Sequence, residues 1–139
     1  MSTNRIAKQL AFDEITKQGF NVSVSGKDLL IDGKLVINVR GCNRDNEWAK
    51  KTNCLGAWDR IDPDRFDYFV GVSFDNGGNN VRYFVFSKDE TKNFSDICWK
   101  DKRSFGFKNM SLTKDDEDSG ATIKSSEDKW DKINTKIRG

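Results

Sequence analysis

The sequence predicts one α/β domain over residues 1–139, with a mixed central β-sheet flanked by helices. Three observations support this prediction: an amphipathic segment at the start, short segments of alternating apolar and polar residues, and turn residues between them. A chain of 139 residues is long enough to bury one hydrophobic core but not two. The predicted elements follow in the order helix, strand, hairpin, loop, hairpin, loop, helix.

The first element is a predicted amphipathic helix over residues 4–18. Gly19 is placed to end this helix, and residues 20–24 then alternate as a strand does. The apolar positions of the helix recur at spacings of three and four residues, which places them on one face. They are Ile6, Ala7, Leu10, Ala11 and Ile15.

Residues 27–40 predict a β-hairpin with one face in the core. Its odd-numbered apolar positions are Leu29, Ile31, Leu35, Ile37 and Val39. The even-numbered positions include an acid, an amide and a guanidinium group, in Asp28, Asn38 and Arg40. One interpretation of these three side chains is an ordinary solvated face, because charged residues are mostly exposed. The other is an active site that holds a divalent cation and a phosphate.

The length of the turn decides whether Asp28 and Asn38 share a face of this hairpin. A three-residue turn at 32–34 places them opposite each other, and one at 31–33 makes them diagonal neighbours. A two-residue turn at Asp32-Gly33 would put them on opposite faces. The alternation argues against that third register.

A second hairpin follows the irregular, polar and basic segment 41–65. This segment includes Arg65, and we expect its Trp48 and Trp58 to anchor the packing rather than to stack on bases. The strands of the hairpin, 66–74 and 81–87, are rich in Phe, Val and Tyr, and the Asn- and Gly-rich segment 75–80 predicts the turn between them.

The end of the chain predicts an exposed acidic loop and a final helix. Residues 114–128 combine acidic residues with Ser and Gly, which is typical of a loop. Residues 126–138 return to a helical pattern. In this pattern Trp130, Ile133 and Ile137 form an apolar stripe that we expect to pack on the rest of the domain.

The composition narrows the possible functions. A net charge of +2 gives no overall field that favours nucleic acid, so any basic site must be local. The sequence has no apolar run of transmembrane length and no signal segment, so we expect no membrane contact. Its three cysteines form no close pair, which is typical of reduced thiols, so we expect a cytoplasmic protein. The absence of histidine excludes Ser-His-Asp hydrolases, Cys-His proteases and zinc deaminases. Any chemistry must therefore depend on carboxylates, Lys, Arg and a hard metal ion.

Residues 5–95 resemble the restriction-endonuclease-like superfamily, whose nucleases share the PD-(D/E)xK motif. The resemblance rests on an ordered set of matches rather than on a single specific motif. These matches are the helix ending at Gly19-Phe20, Asp28 at the head of an apolar strand, the segment 37–41, Trp58, and the strand segments 66–72 and 81–86. The resemblance implies a restriction-endonuclease-like core and a DNA endonuclease that uses Mg²⁺ or Mn²⁺.

In that family an Asp and a second acid hold the metal, and a Lys stabilises the phosphate and activates water. By resemblance, Asp28, Asn38 and Arg40 are the catalytic residues, with Asp28 and Asn38 as metal ligands. Asn38 offers the metal a carbonyl oxygen without a charge, and Arg40 can bind a phosphate but cannot act as a base. Glu14 is a possible further metal ligand by its position on the helix, and Glu47 could approach from the loop.

Asn38 in place of the second acid and Arg40 in place of the Lys depart from the family motif, and they leave two functions open. The first is a working endonuclease, which by analogy with small enzymes of this class would act as a homodimer. The second is a catalytically degenerate member of the fold that binds nucleic acid or a protein partner. A second carboxylate near Asp28 would favour the first, and its absence would favour the second.

Two basic segments are candidate nucleic-acid contacts. The residues assigned to this role are Lys50, Lys51, Arg60, Lys100, Lys102 and Arg103. Around residues 98–108 the cations alternate with aromatic residues, which can follow a phosphate backbone and stack on bases. Alternatively, the aromatic residues are in the core and the cations in solvent. Residues 103–107 also resemble part of an RNA-recognition motif, but that fold requires a helix after residues 68–72, where this sequence predicts a strand.

Overall fold

A five-stranded mixed β-sheet forms the centre of the fold, and one long helix packs against one side of it. The computed structural model describes residues 2–47, 50, 57–58, 61–92, 105–106 and 125–133. Its long helix is α1 (Thr3–Lys17), and residues 88–92 are also helical. Its strands are β1 (Val22–Ser25), β2 (Asp28–Ile31), β3 (Leu35–Asn43), β4 (Ala57–Trp58), β5 (Tyr68–Asp75), β6 (Asn79–Ser87) and β7 (Phe105–Gly106). The predicted α/β class with a mixed sheet is confirmed.

The strands of the sheet lie in the order β1–β2–β3–β5–β6, while β4 and β7 form a separate pair. Neighbouring strands of the five are antiparallel, except that β3 and β5 are parallel. A parallel pair needs a crossover connection. Residues 44–67 form this crossover, which includes β4 and a short 3₁₀ helix at Pro63–Arg65. The crossover is the segment that brings Trp58 and Arg65 onto the sheet.

The turn of the first hairpin is three residues long. Ile31 pairs with Leu35, so residues 32–34 form the loop. Asp32 and Gly33 have φ angles of 56° and 67°, a left-handed conformation that glycine adopts without strain. The first of the two predicted three-residue registers is therefore correct, and Asp28 and Asn38 lie opposite each other.

The turn of the second hairpin is shorter than the sequence predicted. Strand β6 begins at Asn79, and Asn79 pairs with Asp75. Gly77 and Gly78 both have positive φ, and the Gly78 N–H donates a 3.0 Å hydrogen bond to the Asp75 carbonyl. Two adjacent glycines can reverse the chain within these few residues, so the pairing begins inside the predicted turn.

Helix α1 packs against the side of the sheet that carries Ile37 and Val39, here called the helix face. Ala7, Ala11 and Ile15 are its fully buried residues. A Cβ at Gly41 would lie 2.7 Å from the Thr3 carbonyl oxygen, so glycine at this position permits the close approach of helix and strand. No helix in the described ranges is long and apolar enough to cross a membrane.

On the opposite side of the sheet, here called the aromatic face, Trp58 of the crossover packs against β5 and β6. The indole ring of Trp58 lies over Gly71 and contacts the rings of Phe69, Phe84 and Phe86. All four aromatic side chains are buried. Because side chains alternate along a strand, Asn38 lies on this face, beside Phe69 in the parallel register.

Residues 125–133 pack along the outer edge of β6. Glu127 forms a β-bridge with Phe84, and its carboxylate accepts two hydrogen bonds from the Arg82 guanidinium, at 2.7 and 2.8 Å. Trp130 and Ile133 are buried in the core on the helix face, as predicted. Of the predicted loop and final helix, residues 114–124 and 134–138, including Ile137, lie outside the described residues; residues 131–133 are helical.

The titration of Tyr83 in alkaline solution tests the packing of this residue against α1. Burial, together with the nearby carboxylates of Glu14 and Asp13, raises the pKa of Tyr83 to about 12. A phenol whose pKa is raised on folding stabilises the protein fully below its unfolded pKa of about 10, and this contribution is lost between about pH 10 and 12. We expect tyrosinate absorbance of the folded protein to develop mainly above pH 10, since burial also raises the pKa of Tyr68.

The matched variants are Tyr83→Phe and Tyr68→Phe. The chain has two tyrosines, so each variant leaves one phenol to titrate. A folded protein whose two phenols titrate together near pH 10 would contradict the packing of Tyr83 against α1, where its hydroxyl donates a 3.3 Å hydrogen bond to the Leu10 carbonyl.

Candidate functional site

Asp28 and Asn38 form the centre of the candidate site, on the aromatic face. They occupy opposite positions on β2 and β3, and Asn38 Nδ2 donates a 2.8 Å hydrogen bond to Asp28 Oδ1. Only 8% of Asp28 and 7% of Asn38 is exposed. The predicted juxtaposition of these two residues is confirmed, and the contact is buried.

Arg65 provides the second contact of the Asp28 carboxylate. One terminal nitrogen of its guanidinium lies 3.3 Å from Asp28 Oδ2. The Arg65 side chain is 50% exposed and that of Asp28 only 12%, so the pair links the buried carboxylate to the surface. Both carboxylate oxygens of Asp28 therefore accept hydrogen bonds from nitrogen donors.

The position of Arg65 is set by the short helix that contains it. The Asp62 side chain caps this helix by accepting a 3.2 Å hydrogen bond from the Asp64 N–H. Ile61 before the helix and Phe66 after it are buried, which anchors both ends. Sequence reasoning placed Arg65 only in a general basic loop. The Asp62-Pro63 start of the helix was the available local signal, but it could not identify Asp28 as the partner.

Arg40 lies on the same face as Asp28 and Asn38. It is two residues beyond Asn38 on β3, pairs with Gly71 in register and is partly buried. A residue diagonal to Asp28 across an antiparallel pair has its Cα roughly 7–8 Å away. The contacts of Asp28 are thus one amide and one guanidinium group, and Arg40 is placed on the same face of the sheet by its position on β3.

The structure does not bring Glu14 to this site. Helix α1 lies on the opposite face of the sheet, and the Glu14 carboxylate accepts a 2.8 Å hydrogen bond from Gln18. The charge of Glu14 acts on Tyr83 of β6, which is three strands from β2 in the sheet. With neighbouring strands about 4.8 Å apart, that separation is roughly 14 Å.

Two other carboxylates are also placed elsewhere. Glu47 is exposed beyond the end of β3. The Asp67 carboxylate accepts a 2.9 Å hydrogen bond from the backbone N–H of Val36. Within the part of the chain that the structure describes, no three His, Cys, Asp or Glu side chains are grouped closely enough to hold a metal ion.

The residues at Asp28 do not fit a divalent cation. Mg²⁺ is held by hard oxygen ligands, mostly carboxylates, phosphates and water. Here one carboxylate is engaged by an N–H₂ group and by a guanidinium that already carries positive charge. The positive charge beside this carboxylate is supplied by the protein itself, through Arg65.

Of the predicted nucleic-acid contacts, Lys50 is described and is exposed. The remaining five, Lys51, Arg60, Lys100, Lys102 and Arg103, lie outside the described residues. The RNA-recognition-motif interpretation is wrong in its order of elements, because β5 is followed directly by the antiparallel strand β6 and not by a helix.

Comparison of the chain with protein-family models, with curated proteins and with solved structures finds no match. The function must therefore be argued from the residues of the site itself.

Proposed function

We propose that this chain has a restriction-endonuclease-like fold and that its Asp28 site binds the phosphate backbone of a nucleic acid without hydrolysing it. The order of elements supports the fold: a helix, a three-strand meander, a crossover and a second hairpin, with Asp28 at the head of β2. The loss of the metal-binding chemistry supports binding without cleavage.

The observation that carries the proposal is the pairing of both Asp28 oxygens with nitrogen donors. A divalent cation at this carboxylate would share it with the Arg65 guanidinium, and it would gain an oxygen ligand from Asn38 only if the amide turned so that its oxygen faced the metal. It would also face the positive charge of Arg65. A guanidinium remains protonated at any working pH, so this repulsion persists.

The same contacts favour the capture of a phosphate. A guanidinium has five N–H donors in a rigid planar group, and the contact with Asp28 uses one terminal nitrogen. Half of the Arg65 side chain is exposed, so donors remain for a ligand at the surface. Asp28 limits the orientations of Arg65, which lowers the entropy lost when a phosphate binds.

Replacing Arg65 with alanine is expected to weaken DNA binding about tenfold, the equivalent of roughly 1.4 kcal/mol for a lost charge-assisted contact. The slope of log affinity against log salt concentration should fall by about one, because one phosphate contact is lost. Fluorescence anisotropy with labelled single- and double-stranded DNA, at several salt concentrations, measures both quantities. The same titration with RNA identifies the preferred nucleic acid.

Arg5→Ala is the matched control for this experiment. Arg5 is an exposed arginine of α1, on the other side of the sheet. Both variants remove one positive charge, so a general electrostatic effect would lower both affinities equally. Equal losses, or no loss in Arg65→Ala, would contradict phosphate binding at this site.

A second candidate is the Mg²⁺- or Mn²⁺-dependent DNA endonuclease, acting as a homodimer. The adjacent positions of Asp28 and Asn38 on β2 and β3 favour it, because the family resemblance assigns these two positions to the metal. Incubation of supercoiled and linear DNA with either metal separates the candidates. We expect no cleavage by the folded wild-type protein. Metal-dependent cleavage that Asp28→Ala abolishes would establish the endonuclease instead.

A further inference from the structure

We propose that the Arg65 guanidinium is a resident cation at Asp28 and takes the place of a divalent metal there. This inference deepens the proposed binding function and rests on it. It assigns Arg65 two roles: it neutralises the buried carboxylate, and it excludes metal ions from the site.

The Asp28 carboxylate needs a neighbouring positive charge because it is largely removed from water. Its side chain is 12% exposed, and an isolated buried carboxylate is strongly destabilising. Asn38 satisfies Oδ1 with a neutral donor, which supplies a hydrogen bond but no compensating charge. Arg65, at 3.3 Å from Oδ2, supplies that charge.

Hydrogen bonds of the neighbouring residue Asp67 also help to hold Arg65 in this position. Asp67, two residues later, accepts a 2.9 Å hydrogen bond from the Val36 N–H through its carboxylate, and its own N–H donates a 2.9 Å hydrogen bond to the Val36 carbonyl. These contacts join the end of the crossover to β3. The guanidinium is therefore presented to Asp28 by backbone that is fixed to the neighbouring strand.

Two substitutions follow from this assignment. Asn38→Asp places a second carboxylate opposite Asp28, in a position from which both could bind one cation. Arg65→Ala then removes the charge that competes for this position. If Arg65 is the resident cation, metal affinity should depend on removing Arg65 and not only on adding a carboxylate.

The experiment compares wild type, Asn38→Asp and the double variant Asn38→Asp/Arg65→Ala, with Mn²⁺ alone as the probe and no nucleic acid. A ligand that binds only the folded state raises the unfolding midpoint with its concentration. Thermal unfolding followed by circular dichroism at increasing Mn²⁺ therefore reports binding. The unfolding measurement also shows whether Mn²⁺ restores folding to a destabilised variant.

We expect no Mn²⁺-dependent stabilisation of the wild type and at least tenfold tighter Mn²⁺ binding by the double variant than by Asn38→Asp. Equal affinities in these two variants would overturn the inference, as would wild-type binding as tight as that of the double variant. If the double variant does not fold with or without Mn²⁺, Arg65→Ala alone is compared with wild type. Tighter Mn²⁺ binding by Arg65→Ala supports the inference, and unchanged binding overturns it.

This outcome is independent of the DNA titration. Loss of DNA affinity in Arg65→Ala tests whether the site binds phosphate, whereas Mn²⁺ binding tests what occupies Asp28. A protein that fails to bind DNA could still gain Mn²⁺ affinity when Arg65 is removed, so the two failures are distinguishable.

Discussion

Replacing Trp58 with alanine is expected to lower the free energy of unfolding by about 3–5 kcal/mol, the usual cost of truncating a buried aromatic side chain. Trp58 is 2% exposed. The centroid of its ring lies 6.0 Å from that of Phe69, 5.7 Å from that of Phe84 and 6.2 Å from that of Phe86. Urea denaturation of wild type and variant measures the difference.

The size of this effect follows from the position of Trp58 at the centre of the aromatic face. A Cβ at Gly71 would lie 2.5 Å from two ring atoms of the indole, so the ring rests directly on the strand. The indole N–H donates a 3.3 Å hydrogen bond to the Val72 carbonyl. Truncation would leave a cavity that the fixed backbone of β5 cannot close.

Trp58→Phe is the matched control, because it keeps an aromatic ring and removes the indole N–H. Its cost should be clearly smaller than that of Trp58→Ala, since most of the apolar contact survives. One result would contradict the anchoring role. If Trp58→Ala leaves stability unchanged but lowers DNA affinity, the indole stacks on bases instead of anchoring the fold. The sequence predicted the anchoring role for Trp48 and Trp58, and Trp48 lies outside the described residues.

The local geometry of the site could be predicted because it depends on strand periodicity. Side chains alternate with a period of two, so the apolar positions of β2 and β3 also determined which polar residues share the other face. The remaining choice was the length of the turn. The alternation around Asp32-Gly33 favoured a three-residue turn, and this was enough to place Asp28 and Asn38 together.

The long-range parts of the site could not be predicted in this way. Arg65 reaches Asp28 across 37 positions of sequence, through a crossover whose path depends on the packing of Ile61, Trp58 and Phe66. Periodicity similarly identified the apolar stripe of α1 but not the face of the sheet that it covers. Whether Glu14 could reach a metal ion at Asp28 depended on that face, and α1 packs on the side of the sheet away from Asp28.

Changing Asn38 to aspartate is expected to cost about 2–3 kcal/mol of stability near pH 7, and the loss should depend strongly on pH. The 2.8 Å hydrogen bond from Asn38 to Asp28 would be replaced by two facing carboxylates in a buried position. Burial and like charge both raise the pKa of a carboxyl group, and a tenfold change in its proton affinity is equivalent to about 1.4 kcal/mol. Arg65 offsets part of this repulsion because it contacts Asp28.

The sign of the pH dependence follows from the direction in which that pKa moves. A carboxyl group whose pKa is raised on folding favours the folded state below its unfolded pKa of about 4, and that advantage is lost as the pH rises through the folded pKa. The difference in the free energy of unfolding between wild type and Asn38→Asp should therefore shrink as the pH falls from about 7 to 4. Urea denaturation across this pH range measures it.

Asn4→Asp is the matched control for this substitution. Asn4 is exposed in the first turn of α1, and its side-chain oxygen accepts a 2.9 Å hydrogen bond from the Gly41 N–H, a role that a carboxylate can also fill. Negative charge near the start of a helix is favourable, so this variant should lose no stability near pH 7. If the deficit of Asn38→Asp were the same at every pH, the lost hydrogen bond would be its cause. The Asp28 site would then tolerate a second negative charge, which would favour the metal-binding endonuclease over the phosphate-binding protein.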